Sequence, residues 1–520
     1  MHVKGLVKKG EYYDSVTLMM AARRIAERPG VADSAVVMAT RENKAILAAA
    51  GLMIDACNDA GDSDLVVVVK AEQAAVVDDI LANINSLLRA KHGAGAAKTV
   101  HPRTLEGALK KLPDANLALI SVAGRYAGDE AMAALRSGLH VMLFSDNVSL
   151  EQEIELKRYA REHGLLMMGP DVGTAIINGV PLCFANVVRR GDIGVVAASG
   201  TGLQEVTALI SNGGAGISQA IGTGGRDVKE KVGGITFIEA TRALLADERT
   251  KVLLFVSKPP HESVLEKIAE AIRGAAKPIV ATFLAADGEA VARAGMVAAA
   301  TLAEGARKAL CLSRGGKLDE IDRAAAQRDE QLRVQARQVA ALLKPGQRFL
   351  RGLFSGGTFC SEAQVIYQHR LAPIYSNAPY GGAQQCADAL RSVAHTVIDL
   401  GEDEFTVGRP HPMIDFSLRN KRILQEAADG ETAVILLDLV LGYGSHPDPV
   451  PDIVPVLEQA HEVARQAGRH PVIATSVTGT DADPQNRSVV VEAVERTGTL
   501  VFESNAAACA FAGHLVEGRS

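Results

Sequence analysis

Two stretches of small polar residues follow apolar runs, one in each half of the sequence. The first comprises Ser199, Gly200, Thr201 and Gly202, and the second comprises Ser355, Gly356, Gly357 and Thr358. Small residues at a strand-to-helix turn leave the first N–H groups of the helix unobstructed, and the helix dipole adds about half a positive charge there. Serine and threonine hydroxyls supply further donors to a phosphate or a developing oxyanion. Each stretch therefore predicts a loop that binds an anion.

The order of motifs around these two loops is repeated. Each loop leads into a helix with a glutamate, Glu205 or Glu362, and then into a strand that ends in a second polar loop. The second loops contain, in one half, Gly224, Gly225, Arg226 and Asp227, and in the other half the Gly-Arg-Pro-His-Pro segment 408–412. The repeat predicts two related domains about a pseudo-twofold axis, with both helix starts and Gly224 to Asp227 at one phosphate or oxyanion site. A single loop of this kind more often caps a helix, so it is the repetition that favours the anion site.

Two histidines are candidates for proton transfer. His411 lies in the second polar loop, and His446 follows the apolar run that ends at Leu441. Ligands of doubly wound sheets bind outside the carboxyl ends of the strands, where both residues are expected, so each is a candidate general acid, general base or phosphate ligand. The alternative for each is a local hydrogen bond within its loop.

Three loop aspartates are candidates for holding a divalent cation beside phosphate. They are Asp227, Asp415 and Asp448. Mg²⁺ and Mn²⁺ prefer such oxygen ligands, whereas loop aspartates more often form Asx turns. Both interpretations stay open at this point.

The elements that position these residues follow from the hydrophobic pattern. Apolar strands alternate with helical segments from Leu117 onwards, which indicates parallel sheets covered on both faces. The first 97 residues instead combine helical patterns with strand-like runs at Ser34–Ala39 and Leu65–Lys70, which predicts a small ferredoxin-like domain. His92–Lys98 is predicted to be a linker, and the charged segment Leu318–Leu343 a solvated connecting helix.

Composition excludes several classes of function. The chain has 520 residues, enough for three or four domains, and its net charge of −6 arises from interspersed residues of both signs. Neither a nucleic-acid surface nor a membrane surface is indicated. The six cysteines form no C-x-x-C pair and read as reduced thiols of a cytoplasmic protein. The longest apolar run, Ala45–Ile54, is shorter than the roughly 18 residues that a membrane span needs.

The motifs resemble a known family. MMGPDVGTAIINGVPL (Met167–Leu182), GDIGVVAASGTGLQEV and ISQAIGTGGRD resemble the α-subunit of succinyl-CoA synthetase, and the segment from Arg351 to Phe511 resembles the carboxyl-terminal domain of its β-subunit. Their fusion behind a small N-terminal domain resembles the FdrA family, over nearly the whole chain from about Thr99. The resemblance implies five segments: a ferredoxin-like domain (1–97), a Rossmann-like CoA-binding-type domain (98–190), a flavodoxin-like succinyl-CoA-synthetase-type domain (191–315), a helical linker (316–345) and a second such domain (346–520).

The sequence departs from succinyl-CoA synthetase at the positions that the ligase reaction requires. Ala281–Gly288 reads ATFLAADG and lacks the phosphohistidine of the family's GHAGA-type loop. No glycine-rich CoA loop precedes Leu117, and the ATP-grasp nucleotide domain is absent. ATP-dependent acyl-CoA synthesis by this chain alone is therefore not expected, and neither is ordinary CoA binding.

The resemblance implies a different reaction for the two anion loops. The FdrA family is associated with allantoin degradation, as one component of an oxamate carbamoyltransferase that converts oxalurate and phosphate to oxamate and carbamoyl phosphate. This implies inorganic phosphate as co-substrate, Mg²⁺ or Mn²⁺ as the candidate cation, and a hetero-oligomer with other carbamoyltransferase subunits or a homodimer. Two alternatives stay open: a CoA-dependent acyl-CoA synthetase whose nucleotide domain is a separate subunit, and a non-catalytic subunit that binds phosphate metabolites.

Overall fold

The structure is a computed structural model of the chain. It describes all residues except 12, 14, 27, 41–42, 45–46, 49, 63, 89–101, 103, 407–409 and 520. The predicted linker His92–Lys98 and residues Gly408 and Arg409 lie outside the described residues. The chain divides into two compact units, one formed by Met1–Pro113 with Asp403–Pro410 and the other by Asp114–Glu402 with His411–Ser520.

The first unit is a small α/β domain. Its elements are β1 (His2–Lys8), α1 (Ser15–Ala26), β2 (Val31–Met38), β3 (Leu65–Ala71), α2 (Ala74–Ala82), α3 (Ile84–Leu88) and α4 (Leu105–Lys111), and the one-turn helix Asp403–Thr406 is grouped with it. The three strands are antiparallel in the order β1-β3-β2, which matches the ferredoxin-like arrangement up to its third strand. The apolar run of β3 is buried on both faces. The sequence pattern missed β1 because its residues HVKGLVK include two lysines and a glycine.

The second unit begins with a three-stranded parallel sheet, ordered β4-β5-β6. Its elements are β4 (Leu117–Ile120), α5 (Gly124–Arg136), β5 (His140–Leu143), α6 (Leu150–Glu162) and β6 (Met167–Met168). Each of these strands was predicted from its apolar run. Gly124, where α5 begins, packs closely: a Cβ atom added to it would lie 2.3 Å from the carbonyl oxygen of Asp146.

A seven-stranded sheet follows, ordered β13-β12-β11-β9-β10-β7-β8. Its elements are β7 (Thr174–Ile177), β8 (Val180–Cys183), β9 (Arg190–Ala197), α7 (Gly200–Asn212), β10 (Ile217–Gly222), α8 (Ile235–Ala246), β11 (Val252–Ser257), α9 (Glu262–Ala271), β12 (Ile279–Phe283), α10 (Gly288–Arg293), β13 (Val297–Ala298) and α11 (Leu302–Ser313). The hairpin β7–β8 is antiparallel and joins this sheet through β10. The change of sheet therefore precedes residue 174, which corrects the predicted boundary at 190.

A second seven-stranded sheet, entirely parallel, is ordered β16-β15-β17-β14-β18-β19-β20. It follows α12 (Leu318–Ala340), and its elements are β14 (Phe349–Phe354), α13 (Gly357–Tyr367), β15 (Ile374–Ser376), β16 (Gln384–Gln385), β17 (His395–Asp399), α14 (Ser417–Ala428), β18 (Thr432–Val440), α15 (Val450–Gln466), β19 (Val472–Thr478), α16 (Arg487–Glu495), β20 (Leu500–Phe502) and α17 (Asn505–Val516). Helix α12 does more than connect domains, since it packs against α17 and α11.

The two seven-stranded sheets have the same plan. Strand β9, which precedes α7, lies between β10 and β11, and strand β14, which precedes α13, lies between β17 and β18. Each sheet ends in a further helix, α11 or α17, on the side where α7 and α13 meet. One hydrophobic cluster contains residues of both sheets, including Val195 and Leu203 from the first and Phe354 and Phe359 from the second. The predicted pair of related, packed α/β domains is therefore present.

Candidate functional site

The start of α7 is formed by Ser199. Its side chain caps the helix, because Oγ accepts the N–H of Gly202 at 3.1 Å. A Cβ atom added to Gly202 would lie 2.3 Å from this hydroxyl, so the position accepts only glycine without rearrangement. The N–H groups of Gly200 and Thr201 belong to the first turn, where no intrahelical acceptor exists.

The start of α13 is organised differently, by the buried carboxylate of Asp438 on β18. Asp438 Oδ1 accepts the N–H of Ser355 at 2.8 Å, and Oδ2 accepts the Ser355 hydroxyl at 2.8 Å and the N–H of Gly356 at 2.9 Å. Arg419 balances this charge, with Nη1 at 3.3 Å from Oδ1. The Ser355 and Gly356 donors are thus used within the protein, which corrects their prediction as phosphate donors.

The two helix starts meet. Ser199 Oγ and Thr358 Oγ1 are 2.7 Å apart and share a hydrogen bond. A Cβ atom added to Gly356 would lie 3.0 Å from Thr201 Oγ1, so the backbone of one loop approaches the side chain of the other closely. The structure therefore brings together Ser199, Thr201, Gly356 and Thr358. The amino ends of α7 and α13 are therefore in contact through these side chains.

A second carboxylate, Asp399, lies beside the first residue of α13. A Cβ atom added to Gly357 would be 2.6 Å from Asp399 Oδ2, while Oδ1 accepts the N–H of Gly401 at 2.8 Å. Asp399 is only 4% exposed. Burial is the main reason that its pKa rises to about 7; the Gly401 N–H opposes this rise, Glu402 and Asp438 add to it, and Lys258 opposes it.

Lys258 brings the first seven-stranded sheet to this place, where it meets Tyr380 of the second. Lys258 directly follows β11, and its Nζ lies 4.9 Å from the centre of the Tyr380 ring. The Tyr380 hydroxyl donates to the carbonyl oxygen of Leu284 at 2.7 Å, within the segment ATFLAADG of residues 281–288. Burial raises the pKa of Tyr380 to about 12, so this phenol stays protonated at neutral pH.

The two predicted histidines differ in their surroundings. His411 Nδ1 accepts the N–H of Met413 at 3.2 Å, and its Nε2 lies 3.0 Å from a Cβ atom added to Gly401, near Asp399. Burial lowers the pKa of His411 to about 4, so the ring is neutral at pH 7. His411 is therefore close to the α13 start, as expected.

His446 is held by its own loop. Its Nδ1 accepts the N–H of Asp448 at 3.2 Å and its Nε2 lies 3.1 Å from Asp452 Oδ2, with the ring 4.8 Å from that of Phe416. Both ring nitrogens are engaged and the residue is buried. This corrects the prediction of His446 as a proton carrier and favours the local role that was its alternative.

The loop Gly224–Asp227 also has a structural role. Asp227 accepts the N–H groups of Thr236 at 3.2 Å and Phe237 at 2.7 Å, which caps α8, and it forms a buried ion pair of 2.7 Å with Lys157. Arg226 pairs with Glu153 at 2.8 Å. The positive φ of Gly224 (85°) requires glycine there, and a Cβ atom added to it would lie 2.5 Å from the carbonyl oxygen of Pro170. These contacts correct the prediction of Arg226 and Asp227 as phosphate ligands, and an added Cβ atom on Gly225 would meet open space among the described residues.

The predicted cation ligands do not assemble. Asp415 Oδ1 accepts the N–H of Ser417 at 2.7 Å, an Asx turn at the start of α14. In the part of the chain that the structure describes, no group of three or more His, Cys, Asp or Glu side chains is placed to hold a metal ion. Among the same residues, no helix is long and apolar enough to cross a bilayer.

Sequence reasoning missed Asp399, Asp438 and Lys258. A signal existed for the first two: Asp438 is an acidic residue inside the otherwise apolar strand TAVILLDLV, and Asp399 ends the strand HTVID at the carboxyl edge of its sheet. Lys258 carried no such signal. Its role comes from its positive charge near Asp399, and only the packing of the two sheets brings these two residues together.

Comparison with known families agrees with this architecture. Residues 353–515 match the CoA-ligase family, residues 188–285 match the CoA binding domain, and residues 1–103 match the heavy metal-associated domain of AllF. These matches and the fold define a succinyl-CoA-synthetase-like protein, an enzyme of acyl-CoA-synthetase-like type. The chain belongs to the FdrA-type branch of this family together with YahF of Escherichia coli, an uncharacterized protein to which it is 43% identical over 505 residues, 97% of each chain.

Other curated relatives match a smaller share of the chain. The chain is 30% identical to the ADP-forming sulfoacetate-CoA ligase subunit SauD of Bilophila wadsworthia over 32% of its own length and 58% of that protein. It is 29% identical to an ADP-forming succinate–CoA ligase α-subunit of Archaeoglobus fulgidus, over 36% of its own length and 63% of that protein. Among solved structures, PH0766 of Pyrococcus horikoshii covers 82% of the chain, and the chain 87% of it, at 16% identity with a TM-score of 0.32.

The heavy metal-associated match raises the question of a metal in the first unit. Soft metals prefer thiolate ligands, usually in pairs. Residues 1–103 contain one cysteine, Cys57, which is fully buried in an apolar cluster with Leu52 and Val66. These residues do not fit a thiolate metal centre.

Proposed function

We propose that the chain transfers a carbamoyl or related acyl group to and from phosphate at the meeting point of α7 and α13. The observation that carries this proposal is the 2.7 Å hydrogen bond between Ser199 Oγ and Thr358 Oγ1, which holds two helix starts against one point. With its FdrA-type family membership, the reaction proposed first is the conversion of oxalurate and phosphate to oxamate and carbamoyl phosphate.

The helix starts suit the charge that this reaction develops. When phosphate oxygen attacks the carbamoyl carbon, negative charge grows on the carbamoyl oxygen, and preorganised N–H donors stabilise that charge more than they stabilise the substrate. The first-turn N–H groups of Gly200 and Thr201 are the proposed donors. Ser199 and Thr358 add one hydroxyl donor, from whichever of the two does not donate in the hydrogen bond that they share. Since two helix dipoles add at one point, the site binds anions without requiring a bound cation; Mg²⁺ or Mn²⁺ is proposed only as the counter-ion that phosphate brings from solution.

CoA-dependent acyl-CoA synthesis is the second candidate, and the CoA-ligase and CoA-binding matches favour it. CoA would need a loop for its pyrophosphate. At the α5 start, Gly124 packs closely against the backbone of Asp146 and Asn147. In this second candidate, a partner subunit supplies the nucleotide domain.

The test is an assay of the chain purified together with the products of neighbouring genes. Release of carbamoyl phosphate from oxalurate and phosphate is measured with and without Mg²⁺ or Mn²⁺, and formation of acyl-CoA from acyl phosphate and CoA is measured in parallel. We expect the first activity, and we expect Ser199→Asp to abolish it because a carboxylate repels the anion. Acyl-CoA formation alone would establish the second candidate. If the chain binds phosphate but neither reaction is observed, the remaining candidate is a non-catalytic subunit that binds phosphate metabolites.

A further inference from the structure

The two helix starts at the site are chemically unequal. At α7 the side chain that faces the first turn is a hydroxyl, whereas the start of α13 is faced by two carboxylates from neighbouring strands, Asp438 and Asp399. Asp438 is satisfied by three donors and by Arg419. Asp399 Oδ1 is satisfied by Gly401, while no hydrogen bond to its Oδ2 is found among the described residues.

We propose that Asp399 is the general acid and base of the transfer reaction, placed by β17 against the start of α13 while α7 holds the anion. This inference rests on the proposed function and assigns the group that moves its proton. The backbone of Asp399 is fixed on both sides by one residue, since Asn377 Oδ1 accepts its N–H at 2.9 Å and Asn377 Nδ2 donates to its carbonyl oxygen at 2.8 Å. The carboxyl group is thus positioned by the sheet and does not depend on a free loop.

The neighbouring ionisable groups are less suited to this role. Both ring nitrogens of His446 are engaged within its loop. His411 Nδ1 accepts the N–H of Met413, and Nε2 lies close to Gly401. Burial lowers the pKa of this ring to about 4, so it carries no proton to donate from a charged form at neutral pH. Cys360 is fully buried in α13, and burial raises the pKa of its thiol well above its usual value.

Charge around Asp399 keeps both of its protonation states accessible near neutrality. Burial dominates and raises its pKa to about 7, the Gly401 N–H lowers the pKa, Glu402 and Asp438 raise it, and Lys258 from the other sheet lowers it. A catalytic group with a pKa near the working pH transfers protons in both directions most effectively.

The proton balance of the reaction needs one such group. Hydrogen phosphate forms a P–O–C bond to the carbamoyl carbon of oxalurate, the C–N bond to the oxamate nitrogen breaks, and that nitrogen takes up one proton as its bonding pair returns to it. Protonated Asp399 donates this proton, and its carboxylate then accepts the proton that hydrogen phosphate loses. No oxidant, reductant or nucleotide is required.

The experiment measures kcat/KM for phosphorolysis as a function of pH in the co-purified complex, and compares the wild type with variants at Asp399, Glu402 and Lys258. The forward reaction needs Asp399 protonated, so the rate falls as pH rises through its pKa. Asp399→Asn keeps an acceptor for Gly401 and is expected to lower kcat by about 10²- to 10⁴-fold. Glu402→Gln removes a negative charge and is expected to move the falling limb to lower pH, whereas Lys258→Met removes a positive charge and is expected to move it to higher pH.

These opposite shifts separate Asp399 from phosphate, whose own ionisation is the same for every variant. Phosphate binding and the thermal unfolding of Asp399→Asn serve as the folding control. Two results would overturn the inference and leave the proposed function standing. Either the wild type is active and Asp399→Asn is equally active, or the falling limb of the pH profile is at the same pH in the wild type and in both charge variants. Absence of wild-type phosphorolysis would instead count against the proposed function itself. Difference infrared spectra then still test Asp399: a protonated carboxyl signal that titrates near pH 7 must vanish in Asp399→Asn.

Discussion

Asp438 is the residue on which the start of α13 most depends. It is fully buried, it accepts three hydrogen bonds from Ser355 and Gly356, and its charge is balanced by Arg419, which is 1% exposed. Two guanidinium nitrogens of Arg419, Nε and Nη2, have no hydrogen-bond partner in the described part of the protein. The arginine therefore relies strongly on this one carboxylate.

Removing the charge of Asp438 is expected to cost more stability than its hydrogen bonds alone would suggest. Asp438→Asn leaves a buried guanidinium uncompensated, and such changes cost about 3–5 kcal/mol. Urea unfolding measures the loss. Glu431→Gln is the matched control, because its ion pair with Arg348 is exposed and is worth about 0–1 kcal/mol. Equal effects of the two substitutions would show that Asp438 is not the organising residue.

At the scale of the helices, α7 and α13 each carry a buried glutamate that caps a helix of the other seven-stranded domain. Glu205 of α7 accepts the N–H of Asn505 at 3.0 Å, at the start of α17. Glu362 of α13 accepts the N–H of Leu302 at 2.7 Å, at the start of α11, and the side-chain amide of Asn505 at 2.7 Å. The exchange is reciprocal, so the helices that form the site also join the two sheets.

These caps predict a pH dependence of stability. Burial raises the pKa of Glu362 from 4.5 to about 7, with the Glu205 charge adding to the rise, and burial likewise raises the pKa of Glu205. Between these values the folded chain binds more protons than the unfolded chain, so this contribution is full below about pH 4.5 and is lost as pH rises through 7.

Glu362→Gln removes that ionisation. Relative to the wild type, the free energy of unfolding of the variant is expected to rise between pH 5 and pH 7.5, by on the order of 2 kcal/mol. Urea unfolding at the two pH values measures it. Glu289→Gln, with an exposed carboxylate, is expected to keep the wild-type slope. A Glu362→Gln variant with the same slope would contradict the interpretation of the caps.

At the scale of the whole molecule, the hydrophobic cores follow the two units. The two seven-stranded sheets share one cluster, which includes Phe354 and Phe359, while the first unit has a cluster of its own that contains Val67 and Ile80. A shared core couples the sheets that contribute to it, so they are expected to unfold together.

Calorimetry should therefore resolve two transitions, a small one and a large one. Ile80→Ala is expected to lower only the small transition and Phe359→Ala only the large one, since emptying such sites costs about 2–5 kcal/mol. Both residues are fully buried. Separate transitions for the two seven-stranded sheets would show that the shared core does not couple them.

Sequence patterns predicted most of the fold because parallel strands buried on both faces are continuously apolar. They missed β1, whose lysines hide its pattern, and the hairpin β7–β8, because it is antiparallel and joins the next sheet. The convergence of Ser199 and Thr358 was predictable because the motif is duplicated. The positions of Asp399 and Asp438 in or at the end of apolar strands mark them as unusual, but their contacts with the start of α13 were not predictable from any local pattern. The role of Lys258 was not predictable either, because it depends on the other sheet.

The claim that one anion site is built by both helix starts can be measured directly. Inorganic phosphate is titrated calorimetrically into the full chain and into Ser199→Asp and Thr358→Asp, with Ser417→Asp at the exposed start of α14 as control. We predict that each of the first two substitutions alone weakens binding at least tenfold and that the control binds as the wild type does. Undiminished binding in either variant would contradict a shared site.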